Sequence, residues 1–474
     1  MRKDQHQMPL YERLTEMAAR NPVSFHVPGH KHGELFPESA RKSFAQILPL
    51  DMTEIPGLDD LHAPKEVIAE AEMLAADFFQ SDHTFFLVGG STAGNIAMLL
   101  ASCSAGDQVI VQRNSHKSVM NGLELCAADP IYIAPEYNQE LGRYTAPSYA
   151  SLKKALELYP SVKAVMLTYP DYFGDTYDIG EMIELVHTYD IPVLVDEAHG
   201  VHFSLGDPFP PSSLELGADI VVQSAHKMAP AMTMTAFLHI NSRFISKERV
   251  AYFLQMIQSS SPSYPLMASL DISRAFLATL SPRDVDAVME SVRSVREILN
   301  ATDQLEVLPY IRTHDPLKIT LHVKHLYHVK DVTRILEGEN IFPELVTHNQ
   351  ILFIHALHPF TQVYRLRHAM KKVQEQLKFT HNSATMDIKD IFMQPIQQLA
   401  LSYQEMSQLP YKRVPLDEGV GHIAAEAIIP YPPGIPLVLK GERITKAHIL
   451  AMEQLQKQGV GIQQRDEGLQ VYRF

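Results

Sequence analysis

Two stretches decide the fold: DIVVQSAHKMAPAMTM, residues 219–234, and IPVLVDEAHGVH, residues 191–202. Each begins as a short run of β-branched and apolar residues with no polar alternation, the pattern of a strand buried on both faces. Each then releases polar side chains into a loop: Ser224, His226 and Lys227 in one, Asp196 and His199 in the other. Outward from these, the same rhythm runs from about 64 to 239. A helix over 65–79 precedes an apolar run at 84–88, and a helix over 92–102 precedes a strand at 108–112. A helix over 116–127 leads to a strand at 131–133. Strands at 164–168, 193–195, 220–223 and 235–240 follow, with helices at 148–158 and 180–189 between them. Short strands separated by helices predict an α/β fold with a mainly parallel sheet covered on both faces. Ligands of such sheets bind in loops at the carboxyl ends of the strands.

Composition bounds the rest. The chain has 474 residues, 46% hydrophobic and 20% charged, with a net charge of −14. That mix folds, and its acidic balance excludes a general binder of nucleic acid or of anionic membranes. The only cysteines, Cys103 and Cys126, form no C-x-x-C pair, so a disulfide scaffold and Cys-rich zinc sites are excluded. The N-terminus lacks the apolar region of a signal peptide, and no run of about 18 apolar residues occurs. The reading is a cytoplasmic protein with free thiols. Its expected divisions are an N-terminal arm, 1–60; a large domain, 61–300; a smaller α+β domain, 301–385; and a C-terminal domain, 386–474. Within these, helices are expected near 10–20, 266–280, 329–337 and 360–377, strands at 317–323 and 351–354, a linker at 380–395, and a stiff extended segment in PYPPGIP, 430–436.

Five loops carry candidate chemistry. VGGSTAGN, 88–95, joins a strand to a helix; Gly89 and Gly90 permit close backbone approach, and Ser91, Thr92 and the helix start offer donors suited to a phosphate. It matches neither nucleotide-binding glycine motif. Asp196 stands at a strand end 31 residues before Lys227, and Lys227 sits among small apolar residues, where burial would lower its proton affinity. RNSHKSV, 113–119, offers His116 where an imidazole could lie against a ring. A reactive lysine, an acid to hold a proton on a ring nitrogen, and a phosphate cup are what pyridoxal phosphate requires. Taken singly, each has a plainer reading: Ser91 as a helix cap, Lys227 as a surface lysine, His116 as a helix-start residue. The three histidines of FHVPGHKHG, 25–33, are better read as lining a polar loop than as metal ligands, since Pro28 and Gly29 break any helical face. A metal on Asp196, His199 and His202 is likewise not favoured, and no metal is expected. The D-E-A-H string has no nucleotide-binding lysine loop to accompany it.

With FHVPGHKHG, GLDDLHAP (57–64), DHTFFLVGGSTAGN (82–95), RNSHKSV, PVLVDEAHGVH (192–202), QSAHK (223–227), SPSYPLMASLD (261–271) and IPYPPGIPLVLKGE (429–442) in this order, the chain resembles the bacterial ornithine/lysine/arginine decarboxylases. These are pyridoxal-phosphate enzymes of the aspartate-aminotransferase fold type I. The chain resembles their short form, which lacks an N-terminal wing domain. The resemblance implies a PLP-dependent transferase-like large domain with a smaller α+β C-terminal part, and a homodimer with active sites at the interface. By motif, it makes Lys227 the lysine that binds the cofactor's aldehyde and Asp196 the partner of the ring nitrogen. His116 would lie on the ring face. Gly90, Ser91, Thr92 and Ser224, with His226 nearby, would hold the phosphate, and His199 would lie on the ring's oxygen side. His226 or Lys227 would return a proton to the substrate's α-carbon.

The implied reaction is decarboxylation of a basic amino acid, arginine first, then lysine or ornithine, to an amine that feeds polyamine synthesis. Glu418, in LDEGVGHIAA (416–425), matches a position tied to substrate recognition; its alternative is a solvated turn acid. One departure stands out: Met234 occupies a position where the family often has Gln, which leaves room for a modified basic amino acid. Two alternatives remain at this level: another reaction of the same cofactor, such as transamination or elimination, and a catalytically silent regulatory homologue.

Overall fold

The computed structural model describes residues 3–310, 313–379, 392, 394–431, 434–457, 461–462 and 468–474. Its centre is an eight-stranded sheet. Five strands run parallel, in the order Ile220–Ser224, Val193–Asp196, Ala164–Thr168, Gln108–Gln112 and Asp129–Ile133. Their side chains are almost wholly buried, as continuous apolar runs in a two-sided sheet must be.

Both edges depart from a purely parallel sheet. Ile396–Gln398 pairs antiparallel with Asp129–Ile133. On the other side Ala236–Ile240 pairs antiparallel with Ile220–Ser224, and His83–Leu87 pairs antiparallel with it in turn. Two reversals restore His83–Leu87 to the direction of the parallel set. The loops leaving residues 87, 112, 168, 196 and 224 therefore all open along one edge of the sheet, joined there by the entry to Ala236–Ile240.

The strand and helix positions expected for 65–240 agree with the observed elements to within a residue or two. The helices Lys247–Ile257 and Pro282–Leu299 were not anticipated. Helix Gly90–Ser102 lies so close to the sheet that a Cβ on Gly94 would come within 2.4 Å of Val222 Cγ2. Glycine is required there for contact, not for backbone freedom.

The early residues are held to the large domain through helix Pro9–Ala19. The backbone N–H of Leu10 donates to buried Asp271 at 3.0 Å, and Arg274 donates to the carbonyls of Gln5 and Gln7 and to Asp271. A second, four-stranded antiparallel sheet has the order Leu305–Val307, Lys318–Val323, Gln350–Ile354, Leu345–Val346, with helices Val329–Gly338 and Val363–Gln376 beside it. The C-terminal region is tied down by a buried ion pair, Arg113 to Glu442 at 2.7 Å, with Arg113 also donating to the carbonyls of Pro436 and Leu437. Of the expected linker, 380–391 and 393 lie outside the described residues, as do 432 and 433 of PYPPGIP. Among the described residues no helix is long and apolar enough to cross a membrane.

Candidate active site

The loops at that sheet edge enclose a cavity of about 520 Å³, lined by Gly90, Ser91, Thr92, His116, Asp196, His199, Ser224, His226 and Lys227 among others. Nine of the ten residues singled out in the sequence thus meet in one place.

At one end, helix Gly90–Ser102 starts at Gly89, which has no side chain to cap it. The first backbone N–H groups of a helix have no acceptor inside it. Here they stand beside the hydroxyls of Ser91 and Ser224, which are 2.9 Å apart. Gly90 has φ +72° and donates its N–H to the Met234 carbonyl at 2.7 Å. Met234, itself at φ +77°, lines the cavity and serves this contact through its backbone. His226 Nδ1 donates to the Thr235 carbonyl at 2.8 Å, which leaves Nε2 as the free ring nitrogen. Burial lowers the pKa of His226. This donor set fits a phosphate group.

Deeper in the cavity, Asp196 is buried and accepts from Asn95 Nδ2 at 2.8 Å and from the Ala198 N–H at 3.1 Å. Asn95 also bonds Ser118, which in turn bonds His116 Nδ1. The Ser118 N–H donates to the same Nδ1, so the ring of His116 caps the helix Lys117–Cys126 and carries its proton, when neutral, on Nε2. Burial lowers the pKa of His116, with Asp196 opposing. A carboxylate and an imidazole are therefore locked in register by one hydrogen-bonded chain, the arrangement a ring cofactor with a basic nitrogen needs.

Lys227 lies 3.1 Å from His199 Nε2. Its pKa is lowered by burial, against the opposing pull of Asp196 and Glu344. On the far side of the same ring, Lys318 Nζ is 2.9 Å from His199 Nδ1. Sequence reasoning missed Lys318. Its only signal was a lysine opening an apolar strand, KITLHV, after an Asp-Pro turn. Also unassigned were Asn95, Asp171 and Glu344. The last two are acids that line the cavity, with Glu344 accepting from Tyr172 Oη at 2.6 Å. Burial raises Asp171 to about 7, with Asp175 adding to the effect.

Glu418 is not brought here. It ends the 3₁₀ turn Leu416–Glu418, is exposed, and lines no part of this cavity in its own chain. His202 is committed elsewhere, to Asp315 at 3.0 Å, both fully buried. Among the described residues no group of three or more His, Cys, Asp or Glu is placed to hold a metal ion.

A lysine, a held aspartate and a hydroxyl-lined helix start at one edge of this sheet define an α/β protein of the PLP-dependent transferase-like fold type I. Solved structures agree on the fold. The Francisella novicida lysine decarboxylase LdcF superposes with a TM-score of 0.78 at 20% identity, over 98% of this chain and 80% of that one. A Sphingomonas wittichii serine palmitoyltransferase superposes with 0.53 at 16%, over 74% and 84%. The chain belongs to the Orn/Lys/Arg decarboxylase family: residues 8–328 match its major domain and 381–471 its C-terminal domain. It is 42% identical to the uncharacterized protein YaaO of Bacillus subtilis, over 94% of both chains. It is 37% identical to an arginine decarboxylase of the same organism, over 94% of this chain and 93% of the relative.

Proposed function

We propose that the protein is a cytoplasmic, pyridoxal-phosphate-dependent decarboxylase of a basic amino acid, arginine first, then lysine or ornithine. The observation that carries this reading is the single cavity that joins Lys227, Asp196 and His116 to the hydroxyl and amide donors of Gly90, Ser91, Thr92 and Ser224. Pyridoxal phosphate, when bound, supplies a conjugated ring that accepts the electron pair left as carbon dioxide departs. Lys227 would hold the cofactor by its aldehyde, and Asp196, fixed by Asn95, would keep a proton on the ring nitrogen. His116 would lie against the ring, and His226 Nε2 or Lys227 Nζ would be the group that returns a proton to the substrate's α-carbon. Glu344 and Asp171 give the cavity wall an acidic character that suits a substrate with a second cationic group.

The choice of arginine draws on the relatives named arginine decarboxylase at 34–37% identity. Glu418, exposed in its own chain, is proposed to recognise substrate across the interface of a homodimer. Mixing Lys227→Ala and Glu418→Gln chains, each inactive alone, should then restore activity through hybrid dimers. No recovery on mixing two well-folded variants would remove Glu418 from this role.

The test of the main proposal is direct. Purified protein supplied with pyridoxal phosphate should release CO₂ from one of arginine, lysine, ornithine or their acylated forms. Lys227→Ala should abolish both that release and the borohydride-reducible visible absorbance. A keto acid instead of CO₂ would assign transamination, and no absorbance in the unsubstituted protein would end the proposal.

A further inference from the structure

The motif DEAHGVH and the turn DPLK of the smaller sheet meet as matched pairs. His199 and His202, three residues apart, face Lys318 and Asp315, also three apart: His199 Nδ1 to Lys318 Nζ at 2.9 Å, His202 Nε2 to Asp315 at 3.0 Å. Asp315 further accepts the Leu317 N–H, which fixes the turn. The stem of Lys318 lies directly over Gly174, where a Cβ would come within 2.6 Å of its Cγ. Lys318 is 4% exposed and cannot swing to water.

His199 thus stands between two lysines, one on each ring nitrogen. An ammonium group can only donate hydrogen bonds, and a neutral imidazole has one N–H and one acceptor. Both contacts cannot be made with both lysines charged: one must be the ammonium donor and the other a neutral amine that accepts. Resting on the reading of Lys227 as the reacting lysine, we propose that Lys318 is a positioning residue. It donates to His199 Nδ1, fixes the ring with Nε2–H turned to Lys227, and so presents Lys227 with a donor that only a neutral amine can accept.

The surrounding charges are consistent with this. Burial pushes His199 well below its ordinary range, and any positive charge on the groups facing it, Lys227, Lys318, His116 and His202, acts in the same direction. Tyr172 packs against the His199 ring in a T-shaped contact with 4.7 Å between ring centroids. Burial lowers Lys318 to about 8, opposed first by Asp315 and then by Glu344 and Asp171. Burial likewise lowers Lys227, the amine that must lose its proton to become nucleophilic.

Two measurements test it. In unsubstituted protein with ¹⁵N-labelled histidine, the His199 signal, identified by its loss in His199→Gln, should show Nε2–H and a bare Nδ1; the opposite tautomer would overturn the proposal. In full-length protein stripped of cofactor, the rate at which added pyridoxal phosphate develops its visible band should rise with pH as Lys227 loses its proton. In Lys318→Met the midpoint should move up by about one pH unit, so that the rate at pH 7 falls about tenfold. An unmoved midpoint in well-folded Lys318→Met would leave Lys318 a purely structural role and overturn the proposal. Borohydride reduction and peptide mapping keep the underlying reading separate: a label on Lys227 supports it, whereas a label on Lys318 would overturn both.

Discussion

Asp196 and Glu197 are neighbours in sequence, both carboxylates, both buried, and they belong to different parts of the molecule. Asp196 turns to the cavity, where Asn95 and the Ala198 N–H hold it and leave room for a ligand. Glu197 turns to the opposite side and is surrounded by donors: Ser212, the N–H and hydroxyl of Ser213, and Gln223. That network continues through Gln223 and His239 to Thr84. Burial raises Glu197 to about 7 despite these donors. The same division separates His199, which bonds two lysines, from His202, which bonds a carboxylate in the core. One seven-residue motif thus builds the site with one set of side chains and the scaffold with the other.

Substitutions can break or sharpen this contrast. The largest effect on chemistry is expected from Asp196→Ala: turnover should fall by about 10²–10³-fold while cofactor stays bound, as when a group stabilising developing charge is removed. Wild-type turnover would erase the distinction. The largest effect on stability is expected from His202→Ala, which strands buried Asp315 without its partner. A loss of about 3–5 kcal/mol in urea unfolding is expected, and a loss near zero would show that the pair is not a core tie.

Glu197→Gln should cost less, about 1–3 kcal/mol, because a Gln amide cannot accept from every donor now facing the carboxylate. Turnover of the folded fraction should be far less affected than in Asp196→Ala; an equal fall would place Glu197 in the site. A last effect is read in pH and concerns Glu72, a buried acid that accepts from the Phe86 N–H and whose Oε2 lies 3.8 Å from His83 Nε2 without a hydrogen bond. Burial raises it to about 8 from an ordinary 4.5. Between those values the folded state keeps a proton that the unfolded chain has released, so stability falls as pH rises through the window. Glu72→Gln should flatten that slope, with its gain over wild type greater at pH 8 than at pH 5; an unchanged slope would assign the titration elsewhere.

Much of the site was legible. Lys227, Asp196, Ser91 and Ser224 follow strands whose apolar runs are unmistakable, and a strand end in an α/β sheet is a place for ligands. Asn95 lay inside a quoted motif but had no reason to be chosen until helix Gly90–Ser102 was seen to carry it to Asp196. Lys318, 91 residues beyond Lys227, had no local pattern linking it to His199. Glu418 was expected at the substrate and stands exposed away from the cavity of its own chain, because matching a motif places a residue in the sequence and not in space.

The sequence alone determined the parallel core, the order of its loops and the residue types needed for one cofactor. These are local matters, set by periodicity and by which side chains a strand end can release. Tertiary structure decided what each polar residue is for. It inserted Ala236–Ile240 as a reversed strand, bringing Met234 to Gly90. It also folded the smaller sheet onto the DEAHGVH loop, so that His199 meets Lys318 and His202 meets Asp315. The role of a buried polar side chain depends on the partner that satisfies it, and those partners come from distant parts of the chain.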